Sequence, residues 1–403
     1  MTSKTRDILL WIVVNTCRLV VSATFVFSGL VKLIDPIGTQ YKIEDYAVAL
    51  GISQWVSGLV PLALAVILAV LEFCLGVYMF FGIRRRFTTA TMLVFMLIYT
   101  PLTLWLAISN AVADCGCFGD ALVLTNWQTF WKNVVLLVGT VVLFWRGNLI
   151  TRFISEDVQW LISLFSIVYA GFLAGLCLYG EPIMDFRPFH IGQHIPTAME
   201  WPEDPTQTPE IIDFTIMPVQ TTDDDEEQIY LDTETLLADT SYTFLLVAPH
   251  LETADDSNME RINAIYDYAA AGGYAFWCLT ASSETGIRRW QDLTGAEYDF
   301  AFVDELTLKT MARSNPALLL IHDGTIVAKW GYRLLPHAEE LSGPLNTLEL
   351  AQPQPASYRR MLLRLLLWYL VPLFILTLFD RLVASIRWMR GKKNGQKQKN
   401  FET

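Results

Sequence analysis

Two cysteines separated by a single glycine are the residues of this sequence best suited to chemistry. Cys115 and Cys117 lie in the segment "ADCGCFGD", between two long apolar stretches. A disulfide across one residue closes a tight ring, and Gly116 provides the backbone freedom that such a turn needs. Because strained disulfides are the more oxidising and exchangeable ones, the pair is suited to thiol–disulfide exchange.

Two other interpretations of the pair stay open. A static disulfide or two inert thiols would need no partner, although a disulfide stabilises little when it closes so short a loop. A metal site would need further soft ligands, but the loop contains no histidine, and Cys17, Cys74 and Cys177 are expected within helices. The sequence therefore predicts Cys115 and Cys117 as a candidate redox pair, with no metal and no cofactor.

The elements that must position this pair are membrane helices. The chain of 403 residues is 53% hydrophobic and only 17% charged, which is too apolar for an ordinary soluble protein. A bilayer core of roughly 30 Å needs about 20 apolar residues as a helix. Six stretches qualify: Ile8–Ile34, Trp55–Gly82, Thr89–Ala107, Trp127–Trp145, Trp160–Tyr179 and Met361–Arg381. The first lacks a small-residue cleavage site and is expected to remain as an anchor.

Basic residues collect at one end of these helices. They are Lys4 and Arg6 before the first helix, Arg84–Arg86 after the second, Arg146 and Arg152 after the fourth, and a basic tail after the sixth. The opposite loops hold few, with Lys32 and Lys42 in one of them. The positive-inside rule then predicts cytoplasmic termini in a cytoplasmic (inner) membrane. The cysteine pair and residues 181–357 would lie outside, where disulfides persist.

Charged residues fall within the predicted helices, among them Arg18 in the first, Glu72 in the second and Lys132 in the fourth. Charges inside lipid are costly and usually face a protein interior. At 1.5 Å per residue, Arg18 and Glu72 lie at similar depths from the cytoplasmic side, so the two are predicted to form a buried ion pair. The alternative is an Arg18 that snorkels and a protonated Glu72. Lys132, near the end of its helix, is expected to snorkel.

The long segment between the fifth and sixth helices has the composition of a soluble domain. Glu181–Tyr358 contains 30 acidic and 8 basic residues, a net charge of −22, which argues against nucleic acid or anionic lipid as its partner. Residues 181–241 are predicted to be a linker or wrapped loop with two weak strands. The acidic run at 223–227 is most simply a solvated turn, with a cation site as the alternative. Residues 242–350 follow the order βαβαβαββ, which predicts an α/β sandwich around a mixed sheet.

The end of this segment, "SNPALLLIHDGTIVAKW", resembles the thioredoxin-like fold, and the resemblance covers about Asp213–Leu341. It implies a cis-proline at Pro316 and a Cys-x-x-Cys pair where the first long strand meets its helix. That junction reads "VAPHLETADDSN" and contains no cysteine. Cys278 is expected to be a buried small hydrophobe, and His250 a surface residue. The domain is therefore predicted to be unable to exchange dithiols by itself.

A second resemblance rests on "FVFSGLVKLIDPIGTQYKIEDY", on Glu72 and on "CGCFGD". Over about Arg18–Val142, these residues look like the DoxX-like membrane proteins, especially the branch related to MauE, the methylamine-utilisation membrane subunit. The resemblance implies a four-helix membrane bundle associated with extracytoplasmic thiol or disulfide handling.

The predicted fold is an α-helical membrane bundle with an inserted α/β thioredoxin-like domain. Its parts are a DoxX-like bundle (1–150), a fifth membrane helix (151–180), a linker (181–241), the thioredoxin-like domain (242–350), a sixth membrane helix (358–390) and a basic cytoplasmic tail (391–403). The predicted function is thiol/disulfide handling with an extracytoplasmic thiol protein. The alternative is a non-enzymatic membrane scaffold that docks a partner. A secondary transporter is a third hypothesis, motivated only by Arg18 and Glu72. Lipid, but not nucleic acid, is an expected partner.

Overall fold

The computed structural model describes residues 3–204, 208–218, 231–352 and 358–399. The acidic run at 223–227 and most of the second weak strand predicted at 228–232 lie outside these ranges. The chain divides into two compact units, one formed by Met1–Gly175 with Arg359–Thr403 and the other by Leu176–Tyr358.

Twelve α-helices occur in the described part of the chain. They are α1 (Ser3–Ile34), α2 (Pro36–Ala49), α3 (Val60–Phe81), α4 (Arg85–Ser109), α5 (Asn126–Trp145), α6 (Gln159–Tyr179), α7 (Ile195–Met199), α8 (Thr233–Ala238), α9 (Met259–Gly272), α10 (Glu284–Thr294), α11 (Glu305–Met311) and α12 (Tyr358–Lys399).

Six of these helices, α1, α3, α4, α5, α6 and α12, are long and apolar enough to cross a membrane. All six predicted stretches are confirmed as helices, although several begin or end at other residues; α1, for example, begins at Ser3 rather than Ile8. Helix α3 begins at Val60 rather than Trp55, because Gly58 has a left-handed φ of +63° and Pro61 occupies the first turn. Helix α12 does not end at Arg381 but continues through the basic stretch to Lys399.

Helix α2 was not predicted. It begins directly after α1, where the Asp35 carboxylate accepts a hydrogen bond from the Gly38 backbone N–H at 2.8 Å and Pro36 occupies the first turn. Such an N-cap followed by proline is a common start signal for a helix. Helix α2 matters for function because its side chains contact the cysteine loop.

Helices α1 and α3 approach each other closely at two glycines. A Cβ atom at Gly29 would lie 2.4 Å from the backbone nitrogen of Phe73, and one at Gly76 would lie 2.7 Å from that of Val26. Small residues allow membrane helices to pack with their backbones in contact. The close approach brings side chains from the C-terminal half of α1 against the middle of α3.

Helices α6 and α12 join this bundle through aromatic and polar contacts. The Tyr369 ring of α12 lies 5.2 Å from the Phe73 ring and 4.6 Å from the Tyr169 ring. The Tyr369 and Ser166 hydroxyls are 2.7 Å apart. Asp380 accepts hydrogen bonds from the backbone N–H and the hydroxyl of Ser155, just before α6. These contacts hold α6 and α12 against each other, and the Phe73 ring joins the pair to α3.

The second unit contains a six-stranded mixed sheet in the order β1-β4-β3-β2-β5-β6. Strands β2, β3 and β4 are parallel, while β5 and β6 form an antiparallel hairpin beside β2, and β1 pairs antiparallel with β4. The predicted order βαβαβαββ is confirmed. The strands are β1 (Met217–Pro218), β2 (Tyr242–Ala248), β3 (Ala275–Thr280), β4 (Asp299–Phe302), β5 (Ala317–His322) and β6 (Thr325–Gly331).

Both faces of this sheet are covered. Helices α9 and α10 bury one face against a core that includes Phe244, Leu246 and Trp290. The other face is buried by α11 and by side chains from the segment predicted to be a linker, among them Phe189 and Phe214. The described residues of this segment, 181–204, 208–218 and 231–241, therefore contribute side chains to the core, because parallel strands need cover on both faces of their sheet.

A buried group of charges fixes the beginning of that segment. Glu181 accepts hydrogen bonds from the backbone N–H groups of Arg313 and Ser314, at 3.0 and 2.7 Å. Asp185 pairs with Lys329 of β6 at 2.8 Å and with Arg187 at 2.7 Å. Burial disfavours the Asp185 charge, but the two cations outweigh it and lower the pKa of Asp185 to about 2.

Candidate functional site

The cysteine pair lies in the loop between α4 and α5. The Cys115 and Cys117 sulfurs are 2.7 Å apart and both residues are free cysteines. The sulfurs of a disulfide are about 2.05 Å apart, so oxidation of the two thiols by a partner disulfide would require only a small movement of the loop. Gly116 has a left-handed φ of +63°, a conformation that favours glycine. The loop therefore holds two thiols ready for disulfide formation.

Helix α2 holds one side of this loop. The Lys42 ammonium pairs with Asp114 at 2.7 Å, and Asp114 also accepts a hydrogen bond from the Gly116 backbone N–H at 2.8 Å. The Tyr46 hydroxyl donates to the Cys115 carbonyl at 2.9 Å. These contacts fix the backbone on both sides of Cys115, which is only 7% exposed.

A polar cluster inside the bundle holds the other side. The Ser28 hydroxyl lies 2.7 Å from the Cys117 carbonyl oxygen and 2.6 Å from a Glu72 carboxylate oxygen. It also accepts a hydrogen bond from Lys32 at 3.0 Å. The Lys32 ammonium contacts both Glu72 oxygens, at 2.8 and 2.7 Å. Since a hydroxyl has one proton, Ser28 donates a hydrogen bond either to the Cys117 carbonyl or to the Glu72 carboxylate, but not to both at once.

A cavity of about 30 Å³ lies beside Cys117, between α1, α3, α4 and α5. Its charged and polar lining consists of Thr24, Ser28, Lys32, Glu72, Tyr99, Cys117, Lys132 and Asn133. The Lys132 ammonium lies 4.2 Å from the centre of the Phe118 ring. The lining therefore contains two lysines and one carboxylate, an excess of one positive charge beside the cysteine pair.

The two thiols differ in acidity. The hydrogen bond from the Cys115 thiol holds the pKa of Cys117 below its ordinary value, against the effect of burial, and Lys132 and Lys32 lower it further. The same hydrogen bond, with burial, raises the pKa of Cys115. The thiolate, which is the nucleophile in disulfide exchange, is therefore favoured on Cys117.

The predicted pair of Arg18 with Glu72 is wrong. Arg18 is buried, but its guanidinium donates to the carbonyls of Met79, Phe80 and Thr151, and to the Asn15 side chain. Helix α1 extends beyond the end of α3, so Arg18 lies level with the last turn of α3 rather than with its middle. The last carbonyls of a helix lack partners within it, and Arg18 satisfies two of them.

Several residues of the site were not identified from the sequence. Lys32 was counted among the basic residues of the loop that follows the first predicted helix, although Ile8–Ile34 includes it; it lies in α1 and is 4% exposed. Its spacing of four residues from Ser28 places both on one face of a helix, which was the available signal. Lys132 was expected to snorkel, yet it lines the cavity. Lys42 and Tyr46 were missed because α2 was not predicted.

The soluble unit has its own candidate position, at the loop before β5. The Asn315–Pro316 peptide bond is cis, as predicted. The Asn315 side chain donates to the His250 carbonyl at 2.8 Å, and the His250 ring pairs with Glu305 at 3.0 Å. Cys278 is fully buried in β3, and burial raises the pKa of its thiol. No thiol lies at the junction of β2 with the following helix.

Comparison with known proteins bears on the membrane part. Residues 7–146 match the family described as methylamine utilisation protein MauE. No curated protein and no solved structure matches the chain. The match covers α1 to α5 and includes the cysteine loop and the cavity beside it. The six apolar helices indicate a multi-pass membrane protein, and residues 7–146 of it are similar to the MauE family.

Proposed function

We propose that this protein takes part in thiol/disulfide handling outside the cytoplasm, through exchange at Cys115 and Cys117. The observation that carries the proposal is the pair of sulfurs 2.7 Å apart, with an excess of positive charge beside one of them. The partner is a protein thiol or disulfide, because the exchange needs no cofactor. The name of the matched family would connect this exchange with methylamine utilisation.

The proposed location follows from the distribution of charge. With six spanning helices, the basic residues near α1, α3, α5 and α12 share one side, which the positive-inside rule assigns to the cytoplasm. The cysteine loop and residues 181–357 then face the extracytoplasmic side of the inner membrane. That is the side on which protein disulfides form and persist.

We further propose that the soluble unit is thioredoxin-like and the membrane bundle DoxX-like. Three parallel strands followed by an antiparallel hairpin, with a cis-proline at the start of the hairpin, support the first assignment. Because this domain lacks a thiol where its strand meets its helix, its proposed role is to dock the partner while the membrane loop carries out the exchange.

Trapping tests the proposed function. Each of the single variants Cys115→Ser and Cys117→Ser keeps one cysteine of the pair. A mixed disulfide between that cysteine and a partner cannot then be resolved by a second cysteine in the loop. We expect at least one variant to accumulate a mixed disulfide with a partner on non-reducing gels, and the band to disappear with reductant. The double variant Cys115→Ser/Cys117→Ser should show no such band. Cys278→Ser serves as the control and should behave as the wild type.

A non-enzymatic scaffold is the second candidate, favoured by the fully buried Cys278 and the absence of a thiol near His250. Under this alternative the partner would bind without covalent exchange. Neither single cysteine variant would then trap a partner, and the double variant would retain binding and function in cells. That combination of results would replace the exchange proposal with the scaffold.

A further inference from the structure

We propose that Lys132 is the positioning cation that keeps Cys117 as a thiolate, while Glu72 prevents Lys32 from doing the same. This inference rests on the proposed exchange function and adds the assignment of separate roles to the two thiols. Cys117 is the sulfur that attacks, and Cys115 is the sulfur that resolves.

The charge of Lys32 is balanced. Its ammonium contacts both oxygens of Glu72, and the two side chains are 4% and 3% exposed. A lysine and a carboxylate in such contact form a pair with no net charge, so together they exert little field on a third group. Removal of either member would leave the other charge buried beside Cys117 without its partner.

The charge of Lys132 is not balanced in this way. Within the part of the chain that the structure describes, its ammonium faces the Phe118 ring at 4.2 Å and no carboxylate lies within ion-pair distance. A cation–π contact attracts the ammonium but leaves its charge in place. Because Phe118 directly follows Cys117, this contact also holds the ammonium near the thiol.

The other groups around Cys117 do not replace Lys132. From α1 and α3 come Lys32 and Glu72, which balance each other; from α4 comes the Tyr99 phenol; from α2 comes Tyr46, bound to the Cys115 carbonyl. Asp114 is occupied by Lys42. Charges interact strongly where water is scarce, so the single unbalanced cation at the cavity adds to the hydrogen bond from the Cys115 thiol in favouring the thiolate of Cys117.

The exchange that this arrangement supports is balanced in atoms and electrons. The Cys117 thiolate attacks a partner disulfide, forms a mixed disulfide and expels one partner thiolate, which takes up a proton. Cys115 then loses its proton and attacks Cys117, which closes the Cys115–Cys117 disulfide and releases the second partner thiolate. Two electrons pass from the pair to the partner. In the reverse direction, Cys117 is the stabilised leaving thiolate.

The rate of alkylation of Cys117, measured as a function of pH on the full-length reduced protein in detergent, tests the inference. Iodoacetamide modifies the thiolate, and mass spectrometry of the cysteine-loop peptide reports Cys117 separately from the other cysteines. We expect Lys132→Met to raise the pKa of alkylation, with about tenfold slower reaction below that pKa, equal to a change of about one in the pKa. Lys132→Arg, which keeps the charge, should restore the rate.

Glu72→Gln gives a change of opposite sign, which a purely structural effect would not produce. It frees the charge of Lys32, so the pKa of Cys117 should fall. Lys4→Met, at the far end of α1, is the matched control and should leave the titration unchanged. The folded fraction of each variant is collected by gel filtration before labelling.

An unchanged titration in Lys132→Met, or shifts of the same sign in Lys132→Met and Glu72→Gln, would overturn the inference. The trapping experiment separates this failure from that of the proposed function. A trapped partner with an unchanged titration rejects the role of Lys132 alone. A shifted titration without a trapped partner supports the role of Lys132 and rejects the exchange.

Discussion

Lys32 and Glu72 are the two ionised residues buried most deeply beside the cysteine loop, and each depends on the other. Removal of an ion from water costs several kcal/mol, which a close partner offsets. Their contacts with Ser28 extend the pair to the Cys117 carbonyl. The pair therefore positions the cysteine loop as well as balancing charge. We expect its loss to lower the free energy of unfolding of the protein.

We expect Lys32→Met and Glu72→Met each to lower the free energy of unfolding by about 3–5 kcal/mol, because each leaves an unpaired buried charge. The double variant should lose less than the sum of the two. Unfolding in mixed detergent, followed by circular dichroism, gives these values. The half-exposed pair of Lys42 and Asp114 is the comparison, with an expected loss of about 0–1 kcal/mol. Strictly additive losses for Lys32 and Glu72 would contradict a coupled pair.

The site was partly predictable at this scale. The two cysteines, Gly116 and Glu72 were identified by residue type and spacing alone. The partner of Glu72 was not, because depth along a helix was counted from the wrong starting residue. Helix α1 begins at Ser3 and overhangs α3, which shifts Arg18 away from Glu72 and places Lys32 beside it. Hydropathy marks which segments lie in a membrane, but not their relative heights.

Among the elements, the contact between α1 and α3 does most to position the site, and it depends on glycine. Both Gly29 and Gly76 face the backbone of the opposite helix, so neither can carry a side chain without a shift. Ser28 and Lys32 lie on α1 on either side of this contact, and Glu72 lies beside it on α3. The spacing of the two helices thus sets the distance between the Lys32 ammonium and the Glu72 carboxylate.

We expect Gly29→Ala to push α1 and α3 apart and to cost about 1–3 kcal/mol, as overpacking does. The melting temperature in detergent measures this effect. Gly171→Ala and Gly175→Ala, on α6, are matched controls, since a Cβ atom there would meet no atom within 4 Å. If Gly29→Ala melts at the temperature of these controls, the close approach of α1 and α3 is not needed for stability.

Long apolar helices and the alternating strands and helices of the soluble unit could be predicted, because hydropathy and periodicity report them directly. Helix α2 could not be predicted by hydropathy, since "PIGTQYKIEDYAVA" mixes polar and apolar residues. The segment 181–241 was misassigned because its proline and polar content is typical of linkers. Its few apolar side chains, such as Phe189 and Phe214, are those that complete the core.

Across the molecule as a whole, the membrane part and the soluble unit differ in the sign of their net charge. Residues 181–358 have a net charge of −22 within a chain whose total is −12, so the membrane part with its tails has a net charge of +10. The basic part contains the loops assigned to the cytoplasm. The acidic part contains the soluble unit assigned to the opposite side. Both assignments depend on the same six helices.

We expect a cysteine introduced at Leu306, which is 76% exposed, to react with a membrane-impermeant maleimide in intact cells whose outer layers admit the reagent. A cysteine at Arg86, exposed at the start of α4, should react only after lysis. Both substitutions are made in a variant without the six native cysteines. Labelling of Arg86→Cys in intact cells, or protection of Leu306→Cys until lysis, would reverse or refute the proposed orientation.

Gly116 limits how the redox potential of this loop can be adjusted. A side chain at this position would require a left-handed backbone and would meet the Lys42 methylene groups, 2.9 Å from the site of its Cβ atom. Pairs with two residues between the cysteines can vary those residues, whereas here the intervening position is closed to variation. Tuning of the potential, by evolution or by design, must therefore come from sequence-distant residues on other helices: Lys42, Tyr46 and Lys132.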